Sequence, residues 1–371
     1  MVYLYSVVII IAVLIFLFFA LAKIAKMYDE KKTEKHVLAF IKNNPDKASM
    51  YVYVNGKTIV DYGAERKMPL ASTVKIMIAI EYAKQVASKK VEPHTMVSLH
   101  EIDRYYIPNR DGGAHPNWLK SLHIEQVTPD SFIPLQEIVR GMIAYSSNAN
   151  TEYLIDYLGL ERINKTIQEL HLNFHDPLFP ISSAMLISSY LNDKQKRSRK
   201  QLHQYIQQMS SKEYSLHACD IHNLLKNDLS KELVTNFTRS SSFDRKLQQI
   251  KSSKLPSSTA KDYATLLKRI HQDDELFTAP IRDTIRSIMD RPLAPHSKFA
   301  YLGSKGGSTI SILNEALYSK DLEGNTLDMA LFIDDPSGLD NMWLRHKIDL
   351  FLHKFLVDLT FRQKVLDTLT S

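Results

Sequence analysis

The chain is poor in cysteine, since Cys219 is the only one among 371 residues. A disulfide within the chain is therefore impossible, and we interpret the lone thiol as a structural group. Apolar residues make up 44% of the sequence, which is ample for a hydrophobic core. A chain of this length forms either two domains or one large domain with two parts.

A large excess of either charge is absent as well. The formal net charge is +6, and the basic residues are dispersed over polar segments instead of alternating with aromatic side chains. Nucleic acid is therefore not an expected partner, although an anionic membrane or cell-wall polymer could attract the chain. The loop 109–118 contains histidine and carboxylate groups, but not at the spacing of metal ligands. No metal and no other cofactor is expected.

One long stretch without charge stands at the N-terminus, where Val2–Ala22 is long enough to span a bilayer as a helix. A cleaved signal peptide is the alternative, because Ala20-Leu21-Ala22 fits a cleavage pattern. We favour an anchor, since no basic residue precedes the stretch. The positive-inside rule would then place the following domain in the cytoplasm, because the nearest lysines come after the stretch, at Lys23, Lys26, Lys31 and Lys32.

Three short motifs follow in order: Ser72-Thr73-Val74-Lys75, Ser146-Ser147-Asn148 and Lys305-Gly306-Gly307. A serine and a lysine three positions apart share one face of a helix. A serine hydroxyl needs a base to become a strong nucleophile, and a neutral lysine can be that base. Lys75 is neutral only if burial or a nearby cation lowers its pKa, and Lys305 is a candidate for that cation.

Each motif alone also has an ordinary explanation. Ser72 could be a helix N-cap, Ser146–Asn148 a turn and Lys305–Gly307 a strand-end hairpin. A solvated Lys75 is disfavoured, because Ile76–Ile80 is apolar on every face, as in a helix buried on all sides. The occurrence of all three motifs in order favours a single site for acyl transfer.

The three motifs resemble the S-x-x-K, S-D-N and K-T-G signature of class A β-lactamases and penicillin-binding proteins. The resemblance extends to the hairpin Tyr51–Val60 with its Asn-Gly turn, to the segment Ala64–Ala71 before the nucleophile, and to the helix Ser257–Leu267. It covers roughly residues 48–178 and 255–360, which is most of the chain outside the N-terminus and one insertion.

Strand patterns lie near both ends of the folded part, and a mostly helical region lies between them. The predicted strands are Ser49–Val54, Thr58–Tyr62, Phe299–Ser304, Ile310–Tyr318 and Leu327–Ile333. This order indicates one antiparallel sheet covered by helices plus a helical lobe. The resemblance implies an α/β (α+β) fold of the β-lactamase type, with five strands in the sheet.

We predict three parts, the last of which carries an insertion at about 181–255. They are residues 1–24 as a transmembrane anchor or signal segment, 25–68 with 275–371 as a sheet lobe, and 69–274 as a helical lobe. The insertion has no counterpart in the resemblance. It is either a partner-binding subdomain or a lid beside the site, or else a solvated insertion without such a role.

The motifs suggest a role for each of four catalytic residues. Ser72 attacks an acyl carbonyl and Lys75 accepts its proton. Ser146 passes protons to the leaving group, and Lys305 holds Ser146 and attracts a substrate carboxylate.

Substrate binding is expected from the remaining motif residues. Asn148 hydrogen-bonds the substrate amide, and Gly307 and Ser308 line the strand beside it. The resemblance implies that the backbone N–H groups of Ser72 and Ser308 form the oxyanion hole.

Several positions depart from the family pattern. Ser147 replaces the aspartate of S-D-N, Gly306 replaces the threonine of K-T-G, and no arginine lies on the strand 310–318. The last two changes weaken the expected recognition of a substrate carboxylate. The glutamate segment E-x-x-L-N that serves deacylation is absent, and Asp176 before Pro177 is the nearest match. We favour a simple turn at Asp176, with a role as deacylation acid as the alternative.

Without a carboxylate to activate water, the acyl-enzyme should be long-lived or should react with another nucleophile. We therefore predict a membrane-anchored serine hydrolase or acyltransferase for acyl-D-alanyl peptides or related amides and esters of the cell envelope. The alternatives are a weak class A β-lactamase and a non-catalytic binding protein with the same fold. The family's substrates imply a single-pass protein whose catalytic domain is extracytoplasmic, either periplasmic or at the cell surface.

Overall fold

A computed structural model describes residues 2–122, 128, 131–239, 244–272 and 274–370, with side chains for all of these except 2–10, 12, 238 and 239. The chain divides into two units, of which one combines Met1–Ala48 with Asp335–Ser371 and the other is Ser49–Asp334. The lobe boundaries that we place at 68/69 and 274/275 are a different division and stay a prediction.

Nine strands are found in the described residues, and five of them form the main sheet. They are β1 Ala48–Val54, β2 Lys57–Tyr62, β3 Met68–Pro69, β4 Met96–Ser98, β5 Phe132–Pro134, β6 Ser257–Ser258, β7 Phe299–Ser308, β8 Ile312–Asp321 and β9 Thr326–Asp334. The main sheet has the order β2-β1-β9-β8-β7, while β3 pairs with β6 and β4 with β5. The predicted five-stranded antiparallel sheet is confirmed.

The residues of the turn between β1 and β2 explain why these strands form a tight hairpin. Asn55 and Gly56 join β1 to β2 with φ values of 49° and 76°, which only such residues adopt easily. At the other edge, β7 pairs with β8 so that Lys305 lies opposite Ala316 and Gly307 opposite Asn314. The strand predicted for 310–318 begins two residues later and extends to Asp321.

The α-helices of the described residues number seventeen. They are α1 Val2–Glu30, α2 Glu34–Asn43, α3 Lys75–Ala87, α4 Leu99–Asp103, α5 Ala114–Ser121, α6 Leu135–Arg140, α7 Asn148–Leu158, α8 Leu160–Glu169, α9 Ile187–Lys194, α10 Arg199–Gln208, α11 Ser211–Asn227, α12 Glu232–Arg239, α13 Arg245–Ser252, α14 Ala260–Lys268, α15 Ala279–Met289, α16 Gly338–Val357 and α17 Leu359–Thr370. The insertion at 181–255 accordingly forms the helices α9 to α13, although residues 240–243 lie outside the description.

The core of the unit Ser49–Asp334 is arranged around α3. Every residue of Ile76–Ile80 is buried, as expected for a segment that is apolar on all faces. Helices α7, α8 and α15 pack around α3, and α14 packs on β9 of the sheet. Helix α3, which carries the lysine of the S-x-x-K motif, is therefore held in place by packing on several sides.

The unit formed by the two chain ends is helical. Helix α2 packs on α16 and α17, with the rings of Phe40 and Trp343 6.2 Å apart. Glu34 and Lys354 form an ion pair at 2.8 Å. The predicted anchor at 1–24 falls partly on residues whose side chains lie outside the description. In the part of the chain that is described, no helix combines the length and the apolar character needed to cross a membrane.

Gly303 in β7 is packed beneath an aromatic ring. A Cβ atom at this position would lie 2.3 Å from Cζ of Tyr318, its partner across the ladder with β8. We expect Gly303→Ala to lower the free energy of unfolding by about 1–3 kcal/mol, because the ring has to move. Urea denaturation measures this loss. In a Tyr318→Ala background the loss should disappear, and purely additive effects of the two changes would contradict the explanation.

Candidate active site

The hydroxyl of Ser72 belongs to a short 3₁₀ turn, Ala71–Val74, that continues directly into α3. The backbone N–H of Lys75 donates to the carbonyl oxygens of Ser72 and Thr73, so the turn and the helix are one continuous element. Ser72 is partly exposed, whereas Lys75 is completely buried. The motif thus combines a hydroxyl that a substrate can reach with an amine that is shielded from water.

The amine of Lys75 lies against the second motif. Its Nζ donates to the carbonyl oxygen of Ser146 at 2.7 Å and to the side-chain oxygen of Asn148 at 3.0 Å, and it lies 3.2 Å from Ser146 Oγ. A neutral amine has a lone pair that can accept the hydroxyl hydrogen of Ser146. The structure therefore brings the first two motifs together in a geometry suited to proton transfer.

Ser146 has a left-handed backbone conformation, with φ of 65°. It follows a π-helical turn, Gly141–Tyr145, that succeeds α6. Gly141 is required there, because a Cβ atom would lie 2.4 Å from Nε1 of Trp118. Single π turns and left-handed conformations at non-glycine residues are unfavourable and recur at functional sites. The surroundings of Ser146 must therefore hold it in place.

The third motif lies against the turn that carries Ser72. At Gly307, a Cβ atom would lie 2.4 Å from the carbonyl oxygen of Leu70 and 2.5 Å from Oγ1 of Thr73. Asn314 on the neighbouring strand also holds this segment, since its side-chain amide donates to the carbonyl oxygen of Pro69 at 2.8 Å. Glycine is therefore the residue that permits β7 to approach the nucleophile turn so closely.

Lys305 and Ser308, which flank Gly306 and Gly307 in β7, differ in exposure. Lys305 is buried within β7, which continues to Ser308 instead of ending at Ser304 as predicted, and its Nζ donates to the carbonyl oxygen of Gly306 at 2.9 Å. Ser308 is the last residue of β7 and is exposed. Among the described residues, no hydrogen bond joins Lys305 to Ser146. The influence of Lys305 on the site is instead carried by its charge.

Burial and charge together set the protonation of the two lysines. Burial lowers the pKa of Lys75 well below its usual value, and the positive charge of Lys305 lowers it further, against opposing effects of Asp111 and Glu152. Burial also lowers the pKa of Lys305 to about 8, with the carboxylate of Glu315 acting in the opposite direction. Lys75 is thus suited to be a neutral base, by the two causes anticipated from the sequence.

Two charged residues at this edge of the sheet are not identified by any motif. Glu315 lies opposite Gly306 in the ladder, and its Oε2 would be 2.6 Å from a Cβ atom at Gly306. Arg291 approaches the same carboxylate, with 3.7 Å between its Nη2 and Oε1 of Glu315. The space beside Gly306, where the family pattern has a threonine side chain, is therefore occupied by an acidic group.

Asp176 lies in a different environment from the lysine pair. Its Oδ1 forms an ion pair with Lys67 at 2.5 Å, and its Oδ2 accepts the backbone N–H of Ser257 at 3.0 Å. Both oxygens thus tie the loop to the short β3–β6 ladder. This arrangement gives Asp176 a structural role, and its role as a deacylation acid stays a prediction.

The insertion contributes residues to the rim of the site. The Asn148 side-chain amide faces Sδ of Met185 at 3.9 Å, and Lys251 donates to the Met185 carbonyl oxygen at 2.8 Å. Ser252 donates to Oγ1 of Thr309, directly after β7, at 2.8 Å. Helix α13 therefore contacts both sides of the site. Within the described ranges, no group of three or more His, Cys, Asp or Glu residues is arranged to hold a metal ion.

Comparison with known proteins agrees with this geometry. The profile described as the Beta-lactamase enzyme family matches residues 32–341. The chain belongs to this family. It is accordingly a serine hydrolase of the β-lactamase and D,D-peptidase superfamily. No protein of the curated set matches the chain significantly.

Solved structures with the same fold are distant in sequence. The L158E mutant of PBP-A, as an acyl-enzyme complex with penicillin G, has 16% identity and a TM-score of 0.52, with 87% of this chain and 96% of that chain covered. A class A β-lactamase from Bacteroides cellulosilyticus DSM 14838 has 16% identity and a TM-score of 0.51, with 91% and 99% covered. A class A β-lactamase from Mycobacterium abscessus has 15% identity and a TM-score of 0.50, with 88% and 100% covered. These similarities establish the fold.

Replacing Lys305 should change the pH dependence of acylation. Lys305→Met removes a charge that lowers the pKa of Lys75, so this pKa rises, although burial still keeps it below the usual value. Since the base must be neutral, the acidic limb of the acylation rate should move to higher pH. Stopped-flow measurement with a fluorescent penicillin across the pH range of the folded protein tests this. The exposed Lys57→Met is the control, and an unmoved limb in Lys305→Met would contradict the coupling.

Proposed function

We propose that this member of the family forms a covalent acyl-enzyme at Ser72 and acts on acyl-D-alanyl peptides or on related amides and esters. The observation that carries the proposal is the fully buried Lys75, whose amine contacts Ser146 and whose pKa is strongly lowered. A buried lysine without a carboxylate partner is unfavourable as a structural element. Its position one turn from an accessible serine supports a catalytic role.

The proposed reaction begins with attack of Ser72 Oγ on the acyl carbonyl carbon, while the hydroxyl proton passes to Lys75 Nζ. The backbone N–H groups of Ser72 and Ser308 stabilise the negative carbonyl oxygen. The carbon–nitrogen or carbon–oxygen bond then breaks, and Ser146 delivers the proton from Lys75 to the leaving group. The acyl group remains on Ser72 as an ester.

Asn148 is suited to bind the acyl amide. Its Oδ1 accepts from Lys75, so the amide nitrogen Nδ2 is directed elsewhere, where it faces the weak acceptor Met185 Sδ. A substrate carbonyl oxygen is a stronger acceptor and can replace this contact. The side chain then connects the substrate to the base.

Slow deacylation is the second part of the proposal. Asp176 is engaged by Lys67 and Ser257, and the buried Glu152 accepts hydrogen bonds from Ser182, Ser183 and His222. Neither carboxylate is free to activate water. The ester on Ser72 should therefore be long-lived. A long-lived ester favours transfer of the acyl group to an amine, or slow hydrolysis, over rapid turnover of β-lactams.

Glu315, the acidic group beside Gly306, affects which substrates the site attracts. Glu315 lies next to Lys305, which is the cation expected to attract a substrate carboxylate. Its negative charge reduces this attraction. We therefore propose that amides and esters without a free carboxylate near the scissile bond are accepted along with acyl-D-alanyl peptides.

Intact-mass spectrometry with a panel of penicillin, β-lactone and fluorophosphonate probes tests this function. We expect the wild type to gain one probe mass and to retain it after removal of excess probe, because Asp176 and Glu152 are both engaged by other groups. Ser72→Ala should gain none, whereas Ser88→Ala, at an exposed serine after α3, should react like the wild type.

Three results would count against the proposal. Nitrocefin turnover that Ser72→Ala abolishes would favour the weak β-lactamase. Labelling that persists in Ser72→Ala would assign the nucleophile elsewhere. A wild-type protein that reacts with no probe while remaining folded would favour the non-catalytic binding protein.

We further propose that the catalytic unit lies outside the cytoplasmic membrane, where acyl-D-alanyl substrates occur. The uncharged stretch Val2–Ala22 supports this location. We expect the full chain to sediment with membranes, to resist extraction by high salt, and to be cleaved by protease added to intact spheroplasts. Protection from the protease would place the unit in the cytoplasm, and a soluble product that begins after Ala22 would support a cleaved signal.

A further inference from the structure

A series of hydrogen-bonded polar side chains leads from Ser147, within the Ser146–Asn148 motif, to His115 and Asp103. His115 in α5 places Nδ1 at 3.0 Å from Oγ of Ser147 and Nε2 at 3.0 Å from Oδ1 of Asp103. His115 is 1% exposed and Ser147 is completely buried. None of these three side chains is assigned a role by the reaction proposed above.

The three residue types are those of a Ser-His-Asp triad of a serine hydrolase. Ser147 cannot be a nucleophile, however, because a substrate cannot reach its hydroxyl. The hydroxyl of Ser147 has no exposed surface, and it is already used at the start of α7. It donates to Oδ1 of Asn150 at 2.8 Å and accepts the backbone N–H of Asn150 at 3.3 Å. Ser147 is thus the N-cap of the helix that begins with Asn148.

The arrangement of donors and acceptors determines where the hydrogen atoms lie. The amide nitrogen of Asn150 donates to the carbonyl oxygen of Ile138 at 2.9 Å. A carbonyl oxygen only accepts, so the other end of the amide, Oδ1, must face Ser147. The hydroxyl hydrogen of Ser147 is therefore directed to Asn150. His115 Nδ1 must then supply a hydrogen of its own to Ser147 Oγ.

The other ring nitrogen of His115 faces a carboxylate and also needs a hydrogen. The ring in this arrangement carries both hydrogens, and Asp103 balances its charge. Tyr106 stacks on the ring with centroids 4.7 Å apart, Trp118 lies at 5.3 Å, and the carboxylate of Asp111 accepts the backbone N–H of His115 at 2.8 Å. If Nδ1 loses its hydrogen, the Ser147 hydroxyl turns to it and the buried Asn150 Oδ1 is left without a donor.

We propose that Asp103, His115 and Ser147 form a buried relay, with both ring nitrogens protonated, that positions Ser146 for proton transfer. Ser147 is the residue next to Ser146, whose left-handed φ of 65° needs support from its surroundings. The relay supplies this support from helices α4 and α5, more than thirty residues earlier in the chain. Its effect on acylation rests on the proposed function, whereas its effect on the Ser146 segment does not.

The variant that tests the relay is His115→Leu, and the chain offers a matched control. The side chain of His271 is 6% exposed, with Nδ1 at 2.8 Å from the Tyr301 hydroxyl, Nε2 at 2.7 Å from Asp328, and its ring stacked on Tyr301. His271→Leu therefore removes an equivalent set of contacts elsewhere in the fold. We expect His115→Leu to lower the limiting acylation rate by about 10²-fold with little change in the half-saturating probe concentration.

Comparison with the control separates positioning from general stability. His271→Leu should lose thermal stability to a similar degree and keep the acylation rate of its remaining folded fraction, which titration of active sites measures. Equal losses of rate in the two variants would overturn the proposal. An unchanged limiting rate in His115→Leu would overturn it as well.

Hydrogen exchange of peptides that cover 141–158 gives a readout that does not require acylation. Exchange there should be faster in His115→Leu than in the wild type and in His271→Leu, because the start of α7 loses its support. If the wild-type protein forms no acyl-enzyme but this difference is seen, the proposed function fails while the relay stands. If all three proteins exchange alike, the relay fails.

Nitrogen NMR of protein labelled at histidine tests the assignment of the hydrogens, with His115→Leu identifying the signals. At the pH of maximal acylation, or at the pH of maximal stability if no acylation occurs, we expect hydrogens on both ring nitrogens. Asp103→Asn should convert the ring to the form with one hydrogen. A wild-type ring protonated only at Nε2 would overturn the proposal.

Discussion

The site depends on a lysine amine that is kept out of water. Lys75 has no exposed surface, and its Nζ contacts three oxygen atoms of Ser146 and Asn148, none of which carries a full negative charge. Such a site can orient an amine without stabilising its charged form strongly, so burial favours the neutral base. The rest of the architecture serves this condition, because α3 is buried from Lys75 to Ala83 and Lys305 adds a positive charge.

The convergence of Lys75, Ser146 and Asn148 was predictable from the sequence, because short motifs encode local geometry and their order restricts the possible folds. The turn at Asn55-Gly56 and the antiparallel sheet were predictable for the same reason. The contacts of Glu315 and His115 were not. They depend on the ladder register and on how a distant helix packs, and neither leaves a local pattern in the chain.

The replacements in the motifs acquire a physical meaning once their neighbours are known. Ser147 is shorter than the aspartate of the family pattern, and the ring of His115 occupies the space behind it. Gly306 lacks a side chain, and the carboxylate of Glu315 lies over it. In each case the changed residue and a residue far away in sequence form one packed pair, so neither can be interpreted alone.

Gly307 fixes how closely β7 approaches the turn that carries Ser72. Because only hydrogen atoms separate its α-carbon from the Leu70 carbonyl and from Thr73, this side of the cleft has no room to yield. Any engineering effort to admit bulkier acyl donors would therefore have to begin on the opposite wall, where flexible Met185 from the inserted helices meets Asn148.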